Sequence, residues 1–241
     1  MTSHRRPSLG GPLATVLVVG IAIATALAIR ILWPYPNVAV DGAVWFREMD
    51  GWYHMRLVDN LLANFPHTTP FDPYTSYPRG IEPPFHPLTR WLIALGAMLV
   101  GGTSPATHTV DMVGGLYPAI LGTLTIVPAY LIARRLAGPL AAAIAAVVLA
   151  TMPGEFLSRS LFGFTDHHMT EAFFSTLALL FLLLGTHAAA ADSVTIRSLR
   201  AGITPAARRT LLYTALAGLS LGLYLVGWRG GLMVLAVILV Y

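Results

Sequence analysis

Apolar residues fall in long, nearly unbroken blocks, and six of these are predicted to form membrane-spanning helices: 12–33, 110–133, 139–153, 169–190, 211–226 and 231–241. A bilayer core about 30 Å thick is crossed by roughly 20 residues of helix. The longer blocks meet that requirement; 139–153 and 231–241 are shorter but almost wholly apolar. The first block is too long for a removed signal peptide and lacks its small-residue cleavage site, so it is expected to be retained. Block 88–102 opens after Pro87 and carries Arg90 in its first turn. Its length alone leaves it either spanning or lying flat at the interface.

The stretch 34–109 breaks the pattern. Between Val44 and Asn64 apolar residues recur at Trp45, Met49, Trp52, Tyr53, Leu57 and Leu61, the spacing of an amphipathic helix on the membrane surface. From Phe65 to Pro87 the residues Pro66, Pro70, Pro73, Pro78, Pro83 and Pro84 forbid regular elements, which predicts an ordered coil. Bundle helices need only about 2–8 residues to join them, so a connection this long is expected to carry function.

Composition sharpens this picture. Of 241 residues 56% are hydrophobic and 11% charged, against roughly 25% charged in soluble domains, and the mean hydropathy is +0.68. A water-soluble enzyme is excluded. All 15 basic residues are arginines, and they are scattered between apolar blocks, which speaks against a nucleic-acid partner despite the net charge of +4. There is no cysteine, hence no disulfide framework and no thiolate metal site.

Arginine distribution sets the topology. With 88–102 at the interface, eight of the 15 arginines fall in three short inner stretches: Arg5-Arg6, Arg134-Arg135, and the loop bearing Arg197, Arg200, Arg208 and Arg209. Every acid except Asp192 then lies on the outer side or at an outer helix end. The expectation is a cytoplasmic N-terminus, with the long loop and the residues around Asp166 outside.

Two outer clusters carry candidate chemistry. Asp50 and His54 are four residues apart and share a face of a helix; a solvated polar face is the alternative reading. Ser158-Arg159-Ser160-Leu161-Phe162-Gly163-Phe164-Thr165-Asp166-His167-His168 precedes a span; here Asp166 could simply cap the helix. Two such clusters on one side of a membrane favour a shared site. Oxygen and imidazole donors without thiolate suit Mg²⁺ or Mn²⁺, and such an ion's natural partner is a phosphate. No glycine-rich nucleotide loop occurs, so the phosphate is expected on a membrane lipid.

The element Asp50-Gly51-Trp52-Tyr53-His54-Met55-Arg56 and the run from Ser158 to His168 together resemble the STT3/AglB oligosaccharyltransferases, the archaeal form in particular. That resemblance implies an all-α, polytopic membrane bundle, the N-terminal portion of a GT-C glycosyltransferase fold. It implies transfer of an oligosaccharide from a dolichol or polyprenyl phosphate or pyrophosphate donor to the asparagine of an Asn-x-Ser/Thr polypeptide. The location it suggests is the plasma membrane of a prokaryote. By motif, Asp50 and Asp166 resemble the catalytic-site carboxylates and, with His168, the ligands of a Mn²⁺ or Mg²⁺ ion. His86, Arg159 and Trp228 resemble substrate-binding residues; a hydrogen-bonded loop histidine, an arginine snorkelling beside Glu155 and an aromatic-belt tryptophan are the rival readings.

The sequence departs from the family by ending inside an apolar run, without the further spans, the second outer loop or the soluble C-terminal domain. The expectation is therefore a fragment or truncated gene product that supplies the donor and metal half, the acceptor half coming from elsewhere, for example a partner chain. A truncated inactive homologue or scaffold stays open, as does another GT-C enzyme using a lipid-phosphate sugar. A transporter is disfavoured because mid-span positions are almost wholly apolar.

Overall fold

The computed structural model describes residues 11–228 and 230–240. The basic start at Arg5-Arg6 and the last residue of the predicted final span lie outside the described residues. Helix α1 (Pro12–Leu27) starts with proline in its first turn and runs on as a π-helical turn, Ala28–Leu32. After α2 (Tyr35–Val38), strands β1 (Ala39–Val40) and β2 (Ala43–Val44) pair antiparallel around Asp41 and Gly42, both at positive φ. This hairpin takes the residues at which the amphipathic helix was expected to begin, because Asp-Gly is the preferred two-residue hairpin turn. Helix α3 accordingly starts later, at Met49–Ala63. Between α3 and the next helix the proline-rich stretch forms no helix, in line with the sequence, and its strand-like pairing is the bridge between Asp72 and Ile81.

The remaining elements are helical: α4 (Leu88–Gly101), α5 (Thr107–Leu124), α6 (Ile126–Thr151), the single turn α7 (Glu155–Ser158), α8 (His168–Ala191), α9 (Ile196–Ala201), α10 (Pro205–Gly227) and α11 (Gly231–Val240). Among the described residues four segments are long and apolar enough to cross a membrane: Pro12–Val38, Thr107–Thr151, His168–Ala191 and Ala207–Gly227. With 14 residues, α4 is only ~21 Å long, too short to span unaided.

The second of these segments has 45 residues, ~67 Å of helix or twice the bilayer core, and it folds back on itself. Gly138 interrupts α6 at φ 86° and ψ −177°, a conformation a Cβ would oppose, and Pro139 restarts the helix. Both arms pack on α1: Ile126 and Tyr130 from the first arm, Ala142, Ala146 and Ala150 from the second, against Ala22 and Ala26. Tyr130 donates to Thr15 near the start of α1 (3.3 Å), whereas the end of the second arm meets Arg30 near its finish. The arms are therefore antiparallel. Helices α8 and α10 pack along their length, and a separate core of Val44, Phe46, Met55, Val58, Ile93, Tyr117 and Phe162 joins the hairpin to α3, α4 and α5.

Arg30 is fully buried at the junction. Its Nη2 donates to the Leu149 carbonyl (2.8 Å), Nη1 to Ala150 (3.0 Å) and Nε to Ser160 Oγ (2.8 Å). The Leu149 carbonyl is available because the residue four positions on is Pro153, which has no N–H to offer. Arg30→Met should orphan these acceptors and lower the unfolding free energy by about 2–3 kcal/mol, seen as a lower melting temperature in detergent; an unchanged melting temperature would show that the guanidinium is dispensable.

Candidate metal and phosphate site

The loop between α7 and α8 is positioned by backbone groups that other elements leave open. Pro118 sits inside α5 and withholds its N–H from Gly114; the Gly114 carbonyl instead accepts from Thr165 Oγ1 at 2.9 Å. Next to it the Gly115 carbonyl accepts from Gly163 N–H (2.9 Å), and the Arg30 carbonyl in the π-helical turn accepts from Phe162 N–H (2.8 Å). The approach needs glycine in α5: a Cβ on Gly114 would run into Met55, and one on Gly115 would come within 2.8 Å of Phe162. On the other side Gly51, in the first turn of α3, packs against Phe46 and the Thr165 carbonyl.

These contacts deliver Asp166, 4% exposed, to the N-terminus of α8. There its Oδ1 accepts from the His167 N–H at 2.6 Å, and the helix dipole favours its negative charge. Three imidazoles surround the carboxylate. His54, buried on α3, has Nε2 3.1 Å from Oδ1; His168 Nε2 lies 3.0 Å from Oδ2; His167 Nδ1 also touches Oδ1. Burial pushes the Asp166 carboxyl upward, but hydrogen bonding with His167, His168 and His54 outweighs it and holds the group well below the usual carboxylate range. Glu171, one turn into α8, lies 3.7 Å from His168 Nδ1.

Two donor sets here have their ligand atoms within 4.8 Å of one another: His54, Asp166 and His167, and His167, His168 and Glu171. His167 Nδ1 is buried against Asp166 Oδ1, and the contact between them is not a well-formed hydrogen bond. The cluster can hold a metal ion through oxygen and imidazole nitrogen.

Of the residues singled out in the sequence, Asp166 and His168 are in this cluster. Trp228 borders it, its ring 6.2 Å from that of His167 at an interplanar angle of 23°. Asp50 is exposed at the start of α3 and belongs to neither donor set, although its neighbour Gly51 abuts the Asp166 loop. Arg159 pairs with Glu155 and lies over the Phe164 ring, 5.5 Å from its centroid. His86 lines a cavity of about 240 Å³ with Thr68, Glu82, Phe85 and Arg90. Phe85 links that cavity to the cluster by stacking on His54 at 4.3 Å. His54 stood in the sequence only as a candidate donor beside Asp50, and His167 only as part of the motif after Thr165; the structure brings both to Asp166.

Residues 18–241 match the family described as oligosaccharyl transferase STT3, N-terminal. The chain belongs to that family. Over 222 residues it is 33% identical to the dolichyl-monophosphooligosaccharide–protein glycotransferase AglB of Haloferax volcanii, covering 90% of this chain and 21% of that protein. It is 36% identical over 227 residues to dolichyl-phosphooligosaccharide-protein glycotransferase 3 of Archaeoglobus fulgidus, covering 94% and 25%. The crystal structure of the A. fulgidus oligosaccharyltransferase in its apo form superposes with a TM-score of 0.82 at 35% identity, covering 93% of this chain and 25% of that one. Further structures of the A. fulgidus enzyme hold an inhibitory peptide and dolichol-phosphate, or Zn and sulfate, each with a TM-score of 0.80. The chain thus spans about a quarter of the length of these STT3 relatives. Its all-α membrane fold is that of the N-terminal region of a GT-C oligosaccharyltransferase, and it is a multi-pass membrane protein.

The proline-rich loop has its own anchor. Asp72 is buried and accepts from Tyr53 Oη (2.9 Å), Thr75 Oγ1 (2.7 Å), the Tyr74 N–H (3.0 Å) and the Arg56 guanidinium. Burial raises its pKa, but the Thr75, Tyr74 and Tyr53 hydrogen bonds and the Arg56 charge win, leaving it at about 2. A depressed folded-state value means stability that is present above the ordinary carboxylate pKa near 3.8 and lost as pH falls toward 2. Protease resistance of the 65–87 loop should therefore hold at pH 6 and decline between pH 4 and 2, whereas Asp72→Asn should be cleaved faster already at pH 6; equal cleavage of both proteins at pH 6 would discount the anchor.

Proposed function

We propose that this chain forms the donor- and metal-binding part of an oligosaccharyltransferase, which moves an oligosaccharide from a dolichol or polyprenyl phosphate or pyrophosphate to the asparagine of an Asn-x-Ser/Thr polypeptide. The observation that carries the proposal is the buried, ionised Asp166 ringed by imidazoles at the membrane end of α8. A charged group so placed marks a functional site, and the dolichol-phosphate and zinc–sulfate complexes of the A. fulgidus relative support a phosphate and a metal there.

On this reading Asp166 and His168 hold a Mn²⁺ or Mg²⁺ ion, with Asp50 joining them from the first turn of α3. A divalent ion supplies a positive charge that stabilises the leaving phosphate. His86 and Arg159 meet phosphate or sugar oxygens of the donor, and Trp228 walls the site beside His167. Asp166 stays ionised, and the aromatic rings of Phe85 and Trp228 pack against His54 and His167.

We further propose six crossings, with α6 counted as two, the N-terminus in the cytoplasm and the cluster on the outer face of a prokaryotic plasma membrane. Arg134, Arg135 and Arg209 then lie inside. The chain has no cysteine, so single cysteines report cleanly. In intact cells a membrane-impermeant maleimide should label Tyr77→Cys and Ser158→Cys, and Ser198→Cys only after lysis; labelling of Ser198→Cys in intact cells would overturn the orientation.

Metal binding is tested separately. Mn²⁺ at 100 times its Kd should stabilise the purified chain by about 2.7 kcal/mol. Asp166→Ala and His168→Ala should each remove most of that gain, and Asp50→Ala should weaken it. If all three variants keep the full stabilisation, the cluster is not the metal site.

A further inference from the structure

The opposite end of the bundle carries a second feature that the outer-face chemistry does not use. Between the first arm of α6, α8 and α10 lies a cavity of about 430 Å³, lined by Leu131, Arg134, Arg135, Leu180, Leu184 and Tyr213. It adjoins a smaller one of about 120 Å³, which shares Arg135, Leu184 and Tyr213 and adds His187 and Arg209. The shared lining makes them one cleft. Its larger part falls in the size range of small-molecule sites.

The lining is sorted by polarity along the helix axes. On α6, Leu131 sits one turn deeper in the bundle than Arg135; on α8, Leu180 and Leu184 sit deeper than His187. Arg209 comes from the first turns of α10, with Tyr213 one turn further in. Among the described residues the nearest acid is Asp192, which is engaged by Arg209 at 2.7 Å. Arginines therefore collect at the mouth while leucines line the inner wall. His187, at the mouth, lies 19 residues along α8 from His168, ~29 Å from the Asp166 cluster, so the cleft is distinct from it.

A free inorganic anion would match the arginines but gain nothing from the leucine wall. A neutral lipid would match the leucines and bring no anion to Arg135 at the mouth. We propose that the cleft binds an anionic phospholipid, its phosphate head group between Arg135 and Arg209 and its acyl chain along Leu131, Leu180 and Leu184. Basic pockets between transmembrane helices are suited to such head groups. Tyr213 provides the amphipathic ring that favours the boundary between head group and chain. The inference is independent of the reading of the outer-face site, because it rests on different residues at the other end of the bundle.

Native mass spectrometry of the purified chain, with a melting curve in the same detergent, tests this. The probes are phosphatidylglycerol, phosphatidylcholine of the same chain length, and inorganic phosphate. Phosphatidylglycerol should bind with defined stoichiometry and raise the melting temperature, while phosphatidylcholine and phosphate do neither at equal concentration. Arg135→Gln with Arg209→Gln should weaken phosphatidylglycerol binding by roughly 25-fold, about fivefold for each charge removed. Leu184→Trp, which fills the cleft without altering charge, should also reduce binding. Lipid-free melting curves of each variant separate a lost site from a lost fold. Equal binding of phosphatidylcholine, a full effect from phosphate alone, or undiminished phosphatidylglycerol binding by well-folded variants would each overturn the proposal.

Discussion

A buried guanidinium without a carboxylate holds the Asp166 end of this bundle together. Taking an arginine out of water is costly unless every donor finds an acceptor, and Arg30 finds them in the carbonyls at the end of α6 and the hydroxyl of Ser160. A helix C-terminus is where unsatisfied carbonyls and the negative end of the dipole coincide, so the pairing suits both partners. Because the Arg30 carbonyl also receives the Phe162 N–H, one residue fixes α1, the second arm of α6 and the loop leading to Asp166. The π-helical turn that contains Arg30 belongs to the same junction.

The site inherits its geometry from this junction and from Pro118. Proline inside a helix is a loss where no other donor is near. Here the carbonyl it leaves open becomes the acceptor for Thr165, immediately before Asp166. The carboxylate is thus placed by hydrogen bonds made to its neighbours, and its own oxygens remain directed at imidazole nitrogens and the start of α8. Small residues are needed where the elements converge, which explains the paired glycines of α5 packed on Met55 and Phe162.

Much of the fold was legible because apolar block length is a strong signal for membrane helices. The proline-rich coil was legible for the same kind of reason, since repeated proline leaves few alternatives. The hairpin at 39–44 was missed because the apolar periodicity of Trp45 and Met49 concealed the turn signal of Asp41-Gly42. Asp166 and His168 stand out because they precede a span in close succession. His54 and His167 were harder, since their partners come from distant segments and no spacing rule joins α3 to the start of α8. Arg30 lay inside a block read only as a span. Its acceptors, the backbone carbonyls of Leu149 and Ala150, carry no side-chain signature at all.

The elbow at Gly138 bears on how the chain enters a membrane during synthesis. The arm after it, 139–151, is only ~20 Å long as a helix, well short of a hydrocarbon core of about 30 Å. Such a piece cannot be recognised and released into lipid as an autonomous unit. It has to be delivered as the trailing limb of a helical hairpin, held against α1 by its small alanine face. Because α1 is synthesised first, the face on which the short limb packs is already made when that limb emerges.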